Sequence, residues 1–374
     1  MHRPAWIHGP GRDVALALCW IPFAMAVLAV QGHRHLLAAA LSAVLLLSLS
    51  HQPVTLALVY GDRERFRDHR GVYVVGPVVA LGVVLLGLHV SLLLVAIAAG
   101  LWNAEHTLMQ RYGVTRIYGR KVGDDHGRLE RPMLFSWLGV AMIAAAANPR
   151  TPRYLAQVDL GDINRRGISE LTRFRPEATV LLVPALVVAG VLTHRWVRAE
   201  LAAAHANPAK WAYVGGTAAL IAVVCIDPVV GFAAYVGAHA IEYFVIVRGA
   251  ADRRAARGGG GVVGRATRSP LGPSGFVALA AVGALVPLVV LGRLGSFTVA
   301  TAAYLTVGAL HIFYDGLIWK QRTPAVAHDL AAHPELAGVG SGAVDRRSGS
   351  RRALRTQGVE LQAGRDRVAD GAPR

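Results

Sequence analysis

Four histidines sit inside long apolar stretches of this chain: His51, His106, His239 and His311. Each stops a few turns short of a basic residue. His51 lies 12 residues before Arg63, His106 five before Arg111, His239 nine before Arg248 and His311 nine before Lys320. At ~1.5 Å per helical residue, these spacings put the four imidazoles within roughly 10 Å of a common depth. A titratable group inside hydrocarbon costs free energy unless it is paired, hydrated or metal-bound. One such histidine is as readily a structural residue hydrogen-bonded across helices; four in one layer favour a metal or cofactor.

Carboxylates and hydroxyls accompany them. Glu242 follows His239 by three residues and Asp315 follows His311 by four, spacings that share a helix face. Glu105 adjoins His106 but points about 100° away from it. Thr55 near His51, Asn103 and Gln110 near His106, Tyr235 near His239 and Tyr314 near His311 could supply the second hydrogen bond that a metal-bound imidazole needs. The expected centre therefore has His51, His106, His239, His311 and Asp315 as metal ligands, with Tyr314 and Glu242 completing the sphere or handling protons. Imidazole with carboxylate suits iron, zinc, copper or manganese, and several histidines with open positions suit a non-haem iron that activates dioxygen.

These residues need transmembrane helices to carry them, and the composition supplies those. Of 374 residues, 54% are hydrophobic, the formal net charge is +16 and the mean hydropathy is +0.42. The charges fall in short blocks between apolar runs, as in a polytopic membrane protein. Arg-rich links orient helices and meet anionic lipid, so the basic excess does not argue for nucleic acid. Ten apolar runs are long enough to be crossings: 14–31, 36–60, 72–89, 91–110, 132–148, 177–195, 211–226, 229–248, 274–292 and 296–320. The expectation is an all-α transmembrane bundle of about ten helices in the cell inner (plasma) membrane, the first being a retained helix and not a signal peptide.

Links at 61–71, 111–131, 194–210 and 249–271 are Arg-rich, whereas those near 90, 227 and 293 are short and carry at most one Arg, which places both termini in the cytoplasm. Segment 149–176 breaks the pattern with six arginines on the outer side. It reads as an interfacial element, or the short crossing before it as re-entrant. Stretch 106–121 leaves the membrane as helix and reads as an anchor, with binding of a lipid headgroup as the other reading. His69, His126, His194 and His205 read as solvated, His89 as part of an external turn, and Tyr60, Tyr112, Tyr118, Trp196, Trp211 and Trp319 as an interfacial belt. Residues 1–324 form the membrane domain; 325–374 read as a largely disordered tail with a short helix near 325–335, and the glycines at 258–261 as a flexible loop. Cys19 and Cys225 lie inside apolar runs, which excludes a disulfide framework.

On His51, His106, His239 and His311, one per helix, with acidic companions at Glu242 and Asp315, the chain resembles the Brp/Blh-type β-carotene cleavage oxygenases. The resemblance covers architecture and the placing of single histidines on separate helices. It implies a histidine-ligated iron acting on a hydrophobic small molecule such as an isoprenoid or fatty acyl chain. The sequence has no His-Gly-x-x-Asp and no repeated His-x-x-His-His boxes, so substrate and reaction are not carried over, and the membrane desaturases and hydroxylases are disfavoured. A haem-b electron carrier with bis-histidine ligation and a proton-coupled transporter with a His/carboxylate relay are the other readings. The shared depth leaves room for at most one haem, and no pair of Gly/Pro-broken helices in matching halves supports a transporter.

Overall fold

A computed structural model describes residues 6–124, 126–157, 162–203, 206–257, 265–294, 297–320, 326 and 330. Among them the chain forms thirteen helices and no strand. These are α1 (Pro10–Ala17), α2 (Ile21–Val30), α3 (Arg34–Tyr60), α4 (Arg63–Asp68), α5 (Arg70–Val90), α6 (Leu92–Val122), α7 (Gly127–Ala147), α8 (Thr151–Gln157), α9 (Asp162–Ala202), α10 (Pro208–Ile226), α11 (Pro228–Ala256), α12 (Gly272–Leu294) and α13 (Phe297–Ile318). Eight are long and apolar enough to cross a bilayer, and nine spans result if α1 and α2, bent by 42°, count as one. All ten apolar runs of the sequence map onto helices; α13 stands outside the count of eight or nine. The protein is a multi-pass, all-α membrane bundle. Most of the tail and the loop at 258–261 lie outside the described residues.

Local chemistry sets the boundaries. Asp227 accepts hydrogen bonds from the N–H groups of Val229 and Val230, and Pro228 occupies the first turn of α11, so one dipeptide ends α10 and starts the next helix. Asn207 and Pro208 do the same for α10. Gly123 closes α6 at φ 80°, a left-handed cap that glycine takes without strain. The described residues of segment 149–176 form α8 and the first turns of α9, which runs for 41 residues through Pro176 and Pro184, roughly 60 Å of helix; α7 before it is a span of 21 residues.

At the bundle centre α11 packs against α2, α3, α10 and α12. Lipid gives helices little hydrophobic reason to associate, so contact relies on close packing. A run rich in small residues, Gly231, Ala233, Ala234, Gly237, Ala238 and Ala240, provides it. A Cβ at Gly231 would stand 2.3 Å from the Val224 Cα, which ties the approach of α10 and α11 to that glycine. Around α3 and α11 the interior forms two apolar layers. One is built on Trp20, Leu37, Leu41, Val44, Leu220 and Ala233, the other on Val54, Leu58, Tyr73, Val247, Leu310 and Ile318.

Polar residues lock the Arg-rich end. Arg116 bridges Asp124 (2.9 Å) and Glu130 (3.0 Å), while the buried Lys210 ammonium meets Asp124 at 2.8 Å, Glu130 at 2.5 Å and Glu200. His126, expected in solvent, instead pairs its Nδ1 with Glu200 at 2.6 Å. Burial alone would raise the carboxyl pKa of Asp124, but hydrogen bonds from Lys210 and Arg116 outweigh it and hold the group below its ordinary value. Trp196, expected in the interfacial belt, is buried against Trp211 beside this network. The ends of α6, α7, α9 and α10 are thereby tied together.

Candidate metal centre

The four histidines meet between the two apolar layers. His51 comes from α3, His106 from α6, His239 from α11 and His311 from α13. Their ring centroids trace a closed four-sided figure: His51–His239 4.7 Å, His239–His106 5.1 Å, His106–His311 4.8 Å and His311–His51 4.7 Å. Neighbouring rings stand nearly perpendicular, at 79° to 88°. The His311 Nε2 lies 3.2 Å from the His51 Nε2 and 3.1 Å from the His106 Nε2. Both nitrogens of His239 are buried and unpartnered among the described residues.

One helical turn toward the Arg-rich end lies a second polar layer, in which each histidine has a partner four residues on: Thr55, Gln110, Tyr243 and Asp315. The Thr55 Oγ1 is its hub, 2.5 Å from the Tyr243 OH, 2.7 Å from the His311 Nδ1 and 2.8 Å from the Asp315 Oδ1. Hydrogen counting fixes the protons once Asp315 is ionised. A hydroxyl donates once and accepts twice, and a carboxylate only accepts. Thr55 therefore donates to Asp315, and both Tyr243 and the Nδ1–H of His311 donate to Thr55. The Nε2 of His311 is left with a bare lone pair aimed at His51 and His106. A metal ligand requires this tautomer.

The donor set passes a direct test of fit. Imidazole nitrogens at about 2.0–2.1 Å from a metal lie roughly 3 Å from one another when adjacent in its sphere, close to the Nε2 separations found. One nitrogen each from His51, His239 and His311 lie within 4.8 Å of one another, and so do donors of His106, His311 and Asp315. The Asp315 Oδ2 is 3.7 Å from the His106 Nε2 and 3.8 Å from the His311 Nδ1, and no Lys or Arg pairs with this carboxylate among the described residues. A cation seated among the histidines would meet both needs, the unpartnered nitrogens and the unpaired buried charge.

Two residues expected at the centre sit elsewhere. Glu242 turns from the imidazoles to Arg111, with Oε1 2.6 Å from the guanidinium and both side chains fully buried; Gln110 donates to its Oε2 and to the His239 carbonyl, each at 3.2 Å. The Tyr314 hydroxyl lies 3.0 Å from the Tyr60 OH, and its ring packs edge-on against Tyr73, 4.9 Å between centroids. Tyr235, expected beside His239, donates to the Ala104 carbonyl. Tyr243 stands at the centre instead: its ring lies 5.0 Å from His51 and 5.3 Å from His311. Its spacing of four from His239 is the signal that identifies it.

No family model, curated protein or solved structure matches the chain. The reading of the centre rests on its own geometry.

Because Thr55 sets the His311 tautomer, Thr55→Val, which keeps the shape but removes the hydroxyl, is expected to weaken metal binding by about 10–100-fold, the usual effect of losing an outer-shell partner. Thr55→Ser is expected to bind as the parent does. Metal-binding titrations on the purified protein measure both, and equal affinity for Val and Ser would remove Thr55 from this role.

Proposed function

We propose that the protein is a metal-dependent membrane oxidoreductase, with non-haem iron at the four-histidine centre, acting on a hydrophobic lipid or isoprenoid. The observation that carries this reading is the closed ring of buried imidazoles with Asp315 one helical turn away, a carboxylate with no Lys or Arg within ion-pair distance among the described residues. His51, His106, His239 and His311 would hold the ion, with Asp315 beside it as a further ligand or as the partner of His311. Bound iron would supply redox chemistry with dioxygen.

The chain's own residues prepare the rest. Apolar layers on both sides keep water out. Thr55, itself held by Tyr243, donates to the Asp315 Oδ1, leaving Oδ2 as the acceptor nearest the imidazoles, where it can hold a proton. The histidines differ in access: His51, His239 and His311 are each 1% exposed, His106 is 8% and Asp315 6%. The less buried side is thus that of His106 on α6, where exposed Trp102 lies one turn before it on the same face. That surface faces acyl chains, which favours a substrate arriving from the bilayer. The likeness to Brp/Blh-type oxygenases points the same way. Haem fits the geometry poorly, because Nε2 atoms 3.1–3.2 Å apart leave no slot for a macrocycle between them.

Metal analysis and an absorption spectrum of detergent-purified protein, followed by oxygen uptake with polyene and unsaturated acyl substrates, test the proposal. Iron near one ion per chain without a Soret band is expected. A Soret band would turn the assignment to haem, and oxygen uptake undiminished in metal-free protein would overturn it.

A further inference from the structure

Away from the histidines, α7, α9 and α10 line an open groove of about 520 Å³ on the side of the bundle. Trp137, Val140, Leu186, Ala189, Gly190 and Ile221 make most of its wall, and Thr193, His194 and Val197 continue it toward the Arg-rich end. The volume lies in the range of sites that take small organic ligands. Its long axis follows α9 from Leu186 to Val197, roughly 8 to 24 Å short of the helix end at Ala202. One end is therefore at acyl depth and the other near the headgroups.

We propose that this cleft binds a phospholipid with an anionic headgroup, one acyl chain lying along Gly190 and the headgroup meeting His194 and Arg198. Charge complementarity selects this occupant. The wall at acyl depth is apolar, and Trp137 has its one donor satisfied by the Thr193 hydroxyl at 2.8 Å. His194 on the wall is exposed, and so is Arg198, one helical turn beyond it and just outside the lining residues; neither forms an ion pair among the described residues. An unpaired arginine at headgroup depth attracts anionic lipid and not zwitterionic lipid. Space is open above Gly190, which is exposed: a Cβ there meets nothing within 4 Å.

The same open space allows a clean test. Gly190→Leu fills the cleft without striking a neighbour, and Gly139→Leu, also with open space around its Cβ, is the control on α7. Full-length protein is purified from membranes holding equal phosphatidylglycerol and phosphatidylcholine, and retained lipid is read by native mass spectrometry. The parent and Gly139→Leu are expected to retain phosphatidylglycerol, and Gly190→Leu to lose it. Arg198→Gln should keep lipid but reduce the preference for the anionic headgroup about fivefold. Phosphatidylglycerol carrying brominated chains gives a second readout that needs no filled cleft. It should quench the parent's fluorescence more than that of Trp137→Phe. Equal retention by Gly190→Leu and the parent, no headgroup preference in the parent, or equal quenching with and without Trp137 would each overturn the proposal.

Discussion

Replacing His311 with alanine is expected to strip the metal from the protein, with bound metal falling from about one ion per chain to less than a tenth of that. No other histidine is placed so centrally. Its Nε2 faces the Nε2 atoms of both His51 and His106, and its Nδ1 is the one imidazole nitrogen tied to the Thr55 hub. Removing the ring deletes a ligand and leaves Thr55 with two partners in place of three. The effect should exceed the ~10–100-fold loss expected for Thr55→Val, which disturbs only the support of a ligand. His106→Ala, at the more open edge, should bind more weakly than the parent but keep more metal than His311→Ala. Metal analysis beside circular dichroism reads this directly. Full metal content in folded His311→Ala protein would make the histidine ring a packing feature.

The second large effect is on stability. Arg111 and Glu242 face each other at 2.6 Å with no exposure, joining α6 to α11; the Thr217 hydroxyl lies 3.0 Å from the guanidinium, which also stacks over Tyr213. Breaking such a pair from one side leaves an uncompensated charge in low dielectric. Glu242→Gln is expected to destabilise the fold by about 3–5 kcal/mol. Exchanging both partners, Arg111→Met with Glu242→Leu, should recover most of that loss, because an apolar pair of similar volume can replace a buried ion pair at little cost. Thermal unfolding in detergent measures all three proteins. The outcome also decides between two roles for Glu242. A carboxylate that moves protons in catalysis would leave the stable double variant without activity, whereas a helix tie would leave its activity near that of the parent. A Glu242→Gln melting temperature equal to the parent's would remove the structural role.

The layer of four histidines was legible in the sequence because each helix carries its own depth gauge, a basic residue where it leaves the bilayer. Rotation about the helix axis was not legible, and there the expectations divided. Residues three and four apart both count as neighbours on a helix, yet they lie about 60° to one side and 40° to the other. In a bundle this tight the difference decides the outcome. Asp315 and Tyr243, four after a histidine, turn into the centre; Tyr314 and Glu242, three after, turn to Tyr60 and Arg111. The charge network at the Arg-rich end of the helices was hidden for another reason. Asp124, Glu130, Glu200 and Lys210 come from separate segments, and charged residues near membrane ends look alike in sequence whether solvated or paired. His126 reads as solvated on that ground, and the structure pairs it with Glu200.

The uneven burial of the bundle has a consequence for how the sequence can drift. α5 presents Val74, Val75, Val78, Val79, Val83 and Leu86 outward, and α9 presents Val180, Leu181, Val183 and Val187. Lipid requires only that such residues be apolar, so these helices can exchange valine, leucine and isoleucine freely and lose overall similarity quickly. α11 has no such freedom, since a side chain larger than hydrogen at Gly231 meets the backbone of α10. Distant kin of this chain would therefore be recognised less by overall identity than by spacing. The marks to expect are four helices each bearing a histidine with a polar residue four positions on, as in His51–Thr55, His106–Gln110, His239–Tyr243 and His311–Asp315, the third of them set in a helix of glycines and alanines.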